Sequence, residues 1–158
     1  MQIVLENAGT DIGALILNNT RTWEVVAQCQ KKTCQSSATP LDQTETLPLS
    51  IVRKVQRTQK TIIINQVAKD KHFASDSYLI QQQPKSLFCT PILNQGRLIG
   101  ILYLENNLTT GAFTTQRVEV LNLLCSQAAI SIENARLYRT HLGSFLKKVI
   151  LCGDRYIV

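Results

Sequence analysis

The sequence predicts an α+β domain built on an antiparallel sheet. Two observations carry this: β-rich runs come in pairs joined by short turns, and helical patterns stand towards both ends of the chain. Length agrees. With 158 residues, 44% of them hydrophobic and 18% charged, the chain can bury one core but not two comfortable ones.

Residues 1–10 carry Ile3, Val4 and Leu5 and read as a short helix. Gly13–Leu17 and Trp23–Ala27 are two β-rich runs separated by Asn18, Asn19, Thr20 and Arg21. Asparagine tolerates positive φ, so this is a hairpin. Residues 30–48 have no apolar period and many Ser, Thr and Gln residues, which reads as a surface loop. Ser50 is placed to cap a helix whose apolar side is Ile51, Val52 and Val55. Its other side is Arg53, Lys54, Arg57 and Lys60. Thr61–Ile64 is a buried strand, short and β-branched. The segment 65–85 is polar and irregular, with one short helix over Asp76–Gln82 that Pro84 ends.

Ser86–Leu93 and Arg97–Glu105 form a second hairpin around Asn94, Gln95 and Gly96, where Gly96 is free to take positive φ. A long helix follows over Thr115–Arg139. Its stripe is Val118, Leu121, Cys125, Ala128, Ile132 and Ala135, repeating at three- and four-residue steps. Leu124, Ile130, Leu137 and Tyr138 widen that stripe beyond the need of one sheet face. The helix would be about 37 Å long and overhang a small sheet. Residues 1–140 thus form the domain, and 141–158 a tail of unassigned structure.

The net charge is +6, from 17 Lys and Arg against 11 Asp and Glu. Between Arg53 and Lys71 six basic residues face one acid, Asp70. Four of the six fall on the wet side of an amphipathic helix, and no aromatic residue interleaves with them as a single-strand platform would want. Nucleic acid is therefore disfavoured as a partner. No apolar run is long enough to cross a bilayer, so no membrane is expected. The opening MQIVLENAGTD has no basic region before a long apolar stretch, and a cytoplasmic location is expected. Five cysteines, Cys29, Cys34, Cys89, Cys125 and Cys152, are an odd count and read there as free thiols. The Asn-x-Thr triplets at Asn18 and Asn107 are then chance matches.

From Pro84 to Tyr138 the chain resembles the C-terminal half of a GAF domain. The residues that carry this are SLFCTPILNQGRLIGILYLEN (86–106), then Gly111, Ala112, Phe113 and Thr114, then LLCSQAAISIENARLY (123–138). The matching positions are Pro91, Gly96, Ile99, Gly100, Phe113, Ala128, Ala129, Asn134 and Ala135. Upstream, DIGALIL, EVVAQ and LPLSIV fit in order. The pattern is most similar to GAF domains of multi-sensor signal-transduction histidine kinases. The resemblance implies an antiparallel sheet of five to six strands, helices on both faces and a long C-terminal helix. It also implies a pocket on one face, covered by 65–85.

Chemistry is sparse. Histidines are two, His72 and His141, and no nucleophile elbow, Walker A loop, Cys-x-x-Cys or His-Glu-x-x-His is present. Asp70, His72 and Ser75 are the residue types of a triad, but adjacency in sequence is no evidence for one. No enzyme and no metal site is expected. The resemblance offers three ligand classes to test. Covalent bilin members carry a Cys, often followed by His, on a pocket helix, and that pair is absent. The acidic pair of the phosphodiesterase-type cyclic-nucleotide pattern falls on Arg117 and Val118. Haem would need an axial ligand, for which His72 is the one sensible candidate. The cofactor is left unassigned.

Candidates for contact with an unidentified small molecule are Asp70, His72, Phe73, Ser75, Tyr78, Cys89 and Tyr103. A solvated loop holds the same mixture as this lid segment, and that is the simpler reading of it. Candidates for pairing of helices are Leu124, Ile130, Leu137 and Tyr138. The resemblance implies a non-catalytic sensory or regulatory domain that binds a small ligand, forms a homodimer through terminal helices, or serves a histidine kinase in trans. Two alternatives remain: a structural interaction domain whose pocket is filled by Tyr78, Phe88 and Tyr103, and a thiol-dependent methionine sulfoxide reductase using Cys89.

Overall fold

A computed structural model describes residues 10–30 and 33–153, with side chains described to residue 139. The expected helix over residues 1–10 lies outside these apart from its last residue. Six strands form one antiparallel sheet: β1 (Ile12–Asn19), β2 (Thr22–Gln30), β3 (Thr33–Pro40), β4 (Ile62–Ile64), β5 (Ser86–Asn94) and β6 (Arg97–Asn106). Their order across the sheet is β3-β2-β1-β6-β5-β4, so β1 and β6, far apart in sequence, lie side by side at its centre. Helices α1 (Leu49–Thr58) and α2 (Ser77–Gln82) follow β3 and β4, and α3 (Thr115–Gly153) follows β6.

Alternation along the strands divides the core in two. On one face Ala14, Ile16, Leu87, Cys89, Ile101 and Tyr103 meet Ile51, Val52 and Val55 of α1 and Leu79 of α2. On the other, Phe88, Ile92, Ile99, Leu102 and Leu104 meet Phe113 and, from α3, Leu121, Cys125 and Ala129. Phe113 stacks on Phe88 with ring centroids 5.5 Å apart, seating the start of α3 on the sheet. Two bulges reset the alternation. Leu15 pairs with Ala27 and Ile16 with Val25, which leaves Val26 as an extra residue in β2. Ile92 pairs with Gly100 and Leu93 with Leu98, leaving Ile99 extra in β6. Each bulge sends the residues on its two sides to opposite faces.

Gly100 lies against β1. A Cβ there would stand 2.8 Å from Leu17 Cδ2 and 2.9 Å from the Ile16 carbonyl oxygen, so the central strand pair closes only over glycine. The β5–β6 turn carries positive φ at Gln95 (50°) and Gly96 (78°), as expected of Gly96. In the β1–β2 turn the positive φ falls on Thr20 rather than on either asparagine.

Five expectations are corrected. Thr61–Ile64 is not a buried strand: Ile64 is buried, but Thr61 and Ile63 are exposed and Ile62 is half-buried, because β4 lies at the edge of the sheet. Residues 30–48 are not a loop: Thr33–Pro40 is a strand paired with β2, followed by a 3₁₀ turn over Leu41–Gln43. As an edge strand with Thr33–Ala38 exposed, β3 needs no apolar face and so showed no period. Ser50 does not cap α1. Pro48 precedes the first turn, and Ser50 donates from its backbone N–H (3.1 Å) and its hydroxyl to Asp76 Oδ2. Cys29 and Cys34 are bonded to each other, not free, because the β2–β3 register sets them directly opposite. Finally, α3 runs for 39 residues to Gly153 rather than ending at Arg139, a length of about 58 Å. Ala135, expected in its buried stripe, is exposed.

Candidate functional site

The segment between β4 and β5 forms a lid over the α1 face of the sheet. Asp76 builds it locally. Its Oδ1 accepts from the Tyr78 N–H at 3.0 Å and the Leu79 N–H at 3.4 Å, capping α2, while its Oδ2 accepts from Ser50 and ties α2 to α1. Asp70 does the same for the preceding loop, accepting from the N–H groups of His72 (2.8 Å) and Phe73 (3.2 Å). Phe73 packs at the edge of the core, with Lys54 Nζ 5.1 Å from its ring centroid.

A cleft of about 430 Å³ opens beside this lid. Val67, Phe73, Leu79, Ile80 and Pro84 give it apolar walls, and Gln66, Asp70, Gln83, Lys85 and Thr110 stand among them. Mostly apolar walls with a few polar groups are the usual make-up of a small-molecule site. Of the candidate residues, Asp70 and Phe73 line this cleft. Tyr78 instead backs a separate groove between α2 and the 42–49 segment. His72 and Ser75 are exposed and do not line the cleft. Cys89 and Tyr103 lie in the core under α1, without exposed surface. The seven candidates are therefore not gathered around one cavity.

Beneath the lid lies a cluster that the sequence did not suggest. Glu105 is completely buried. Its Oε2 accepts from the Tyr103 hydroxyl at 2.6 Å and the Tyr78 hydroxyl at 3.0 Å, while Oε1 has no hydrogen-bond partner. Burial raises the carboxyl's pKa and outweighs the two tyrosines and Asn107, which lower it; nearby Asp11 raises it further. Burial also raises both phenols, as does Glu105 beside them. A carboxylate at this position in an apolar strand was the available signal, since a buried acid requires partners. Phe88 points to the opposite face and takes no part.

Burial pushes the Cys89 thiol far up, so it holds its proton near neutrality and is a poor nucleophile. Cys125 is pushed up to about 11 by the same cause. Among the described residues no three His, Cys, Asp or Glu side chains gather as a metal site. None of the described helices is long and apolar enough to cross a membrane. Arg117, unfavourable for a helix start, donates from Nη1 to the Ala112 carbonyl at 2.8 Å, a bond that offsets its charge next to the dipole.

On α3, Leu124 is half-buried, but Ile130 (53%), Leu137 (53%) and Tyr138 (73%) are exposed. Leu123 (62%) and Val120 (44%), not among the candidates, are exposed with them. Arg136 donates to the Asn18 carbonyl oxygen and fastens the helix to the β1–β2 turn.

The order of strands, the lid and the long helix define an α+β domain, and comparison with known proteins identifies the family. Residues 1–132 match the GAF domain model, and the chain belongs to the GAF family. It is 44% identical over 97 residues to hybrid signal transduction histidine kinase G of Dictyostelium discoideum. That match takes in 61% of this chain and only 3% of that much longer protein. The GAF3 domain of Slr1393 from Synechocystis, in its photoproduct state, superposes with a TM-score of 0.66 at 15% identity, over 88% of this chain and 92% of that one. The GAF domain of a two-component sensor histidine kinase from Bacillus halodurans gives 0.59 at 18% identity, over 87% and 97%. At these identities the two structures share the fold.

Proposed function

We propose that this chain is a non-catalytic sensory module of signal transduction whose helix α3 pairs with the α3 of a second copy and carries the output. The observation behind this reading is the exposed seam Val120, Leu123, Ile130 and Leu137. Leu123, Ile130 and Leu137 repeat every seven residues, and the exposed Gln127 and Asn134 continue the Val120 position at the same interval. Apolar residues at one heptad position with polar ones at the other make a seam that selects register at some cost in strength. Each leucine or isoleucine covered contributes about 1.5–3 kcal/mol. Pairing of α3 would hand a change in the sheet to a histidine kinase, whether on the same chain or in trans.

Sedimentation of the full chain across concentration tests this. The wild type is expected to be a dimer at micromolar concentration. Ile130→Glu is expected to weaken it by at least about tenfold, the cost of losing roughly 1.4 kcal/mol or more. A monomer throughout, or a dimer indifferent to Ile130→Glu and Leu137→Glu, refutes the seam.

The cleft supports a second element of the reading: it takes a small molecule with an apolar body. Native mass spectrometry of the purified chain would reveal such a ligand as mass lost on denaturation. Its absence from protein isolated under several growth conditions would leave α3 as the working part.

A further inference from the structure

We propose that Cys29 and Cys34 are a reversible thiol–disulfide site through which the oxidation state of the surroundings acts on helix α3. The two residues face each other across β2 and β3 and are joined through sulfur. Their environments differ sharply. Cys34 is exposed, as are its neighbours from Thr33 to Ala38 on the edge strand, so small thiols and disulfides can reach it. Cys29 has no exposed surface and belongs to the same buried cluster as Leu121, Cys125 and Ala129 of α3. The bulge at Val26 puts it there: Val25, before the bulge, faces the lid side, and Cys29, after it, faces α3. One bond therefore spans from solvent to the underside of the long helix.

A purely structural role fits poorly. The stabilisation a disulfide brings grows with the loop it closes, and here the separation is 5 residues between strands already paired through their backbones. The bond therefore adds less to the fold than a bridge closing a long loop would, and it fixes one side chain in the α3 cluster. Exposed disulfides are the ones that exchange readily. By contrast, Cys89 and Cys125 are buried and unbonded, which leaves this pair as the reactive one among the described cysteines.

The exchange balances with a low-molecular-weight disulfide as oxidant. The Cys34 thiolate attacks it, forming a mixed disulfide and releasing one small thiol. The Cys29 thiolate then attacks Cys34 Sγ, closing the protein disulfide and releasing the second small thiol. Two electrons pass to the oxidant, and the two cysteine protons end on the released thiols. Reduction by the same small thiol reverses each step. In the reduced state β3 is held by backbone pairing alone, and the Cys29 side chain is free to repack under α3.

The full chain with Cys152→Ser is the material for the test. It is equilibrated across glutathione mixtures from fully reduced to fully oxidised, acid-quenched, then alkylated while denatured and weighed. The expected result is one transition in which two alkylatable thiols are lost together. Tryptic peptides 22–31 and 33–53 become linked across the same range. Hydrogen exchange over 33–40 and over 118–132 is expected to be at least about threefold faster in the reduced form. Cys34→Ser should exchange like the reduced form in every mixture. A bond that persists at the reducing end, or thiols that persist at the oxidising end, overturns reversibility. Exchange over 118–132 that is equal in both states overturns the link to α3.

Discussion

Glu105 shows how one carboxyl group can set a pH dependence for the whole fold. Its pKa in the folded chain is raised above the ordinary value of 4.5, burial being the largest cause. The folded state thus holds this proton more tightly than the unfolded chain does. The resulting stability is fully present below the unfolded pKa and is lost as pH rises through the folded value. Glu105→Gln removes the titration while keeping an acceptor for Tyr78 and Tyr103. Urea denaturation from about pH 4 to 8 should show the stability difference tilting towards the variant as pH rises. A constant difference would mean that Glu105 keeps an ordinary pKa. The cysteine pair teaches a related lesson about reading sequence. Cys29 and Cys34 were visible, but only the pairing of Gln30 with Thr33 and of Cys29 with Cys34 makes them partners, and polar β3 gave no sign of that register.

At the scale of elements, the lid hangs on Asp76, which caps α2 and holds it to α1 through Ser50. Asp76→Ala removes both functions at a cost of about 1–2 kcal/mol, a fall in Tm of roughly 2–8 °C for a chain of this size. Amide exchange over 70–82 should accelerate more than that over β5 and β6. If Ser50→Ala reproduces the whole loss, the tie to α1 matters and the cap does not. What the sequence revealed at this scale follows burial. The β5–β6 hairpin, α1 and the 76–82 helix were legible because each turns an apolar face to the core or carries a strong turn residue. The extension of α3 was missed although Leu142, Phe145, Leu146, Val149 and Ile150 recur at three- and four-residue steps. Cleft residues such as Val67, Leu79 and Pro84 carry no chemical signature, and only the folded lid brings them together.

For the whole molecule, the sheet is a partition with the lid on one side and α3 on the other. Tyr103 and Leu104 are adjacent residues in opposite cores, so a shift under the lid reaches the α3 side through a single peptide unit. If α3 pairs as proposed, association and folding are linked, and the apparent Tm rises with protein concentration. Thermal melts over a hundredfold range of concentration should show this for the wild type and lose it in Ile130→Glu.

The extra residue in β6 has a bearing on ancestry. Because Ile99 is extra to the pairing with β5, the strand can gain or lose one residue there while the halves on either side keep their faces. When relatives are aligned, a one-residue gap in this hairpin belongs at Ile99 and not in the turn at Gly96. Placed in the turn, it would set lid-facing positions of one protein against helix-facing positions of another between the turn and Ile99.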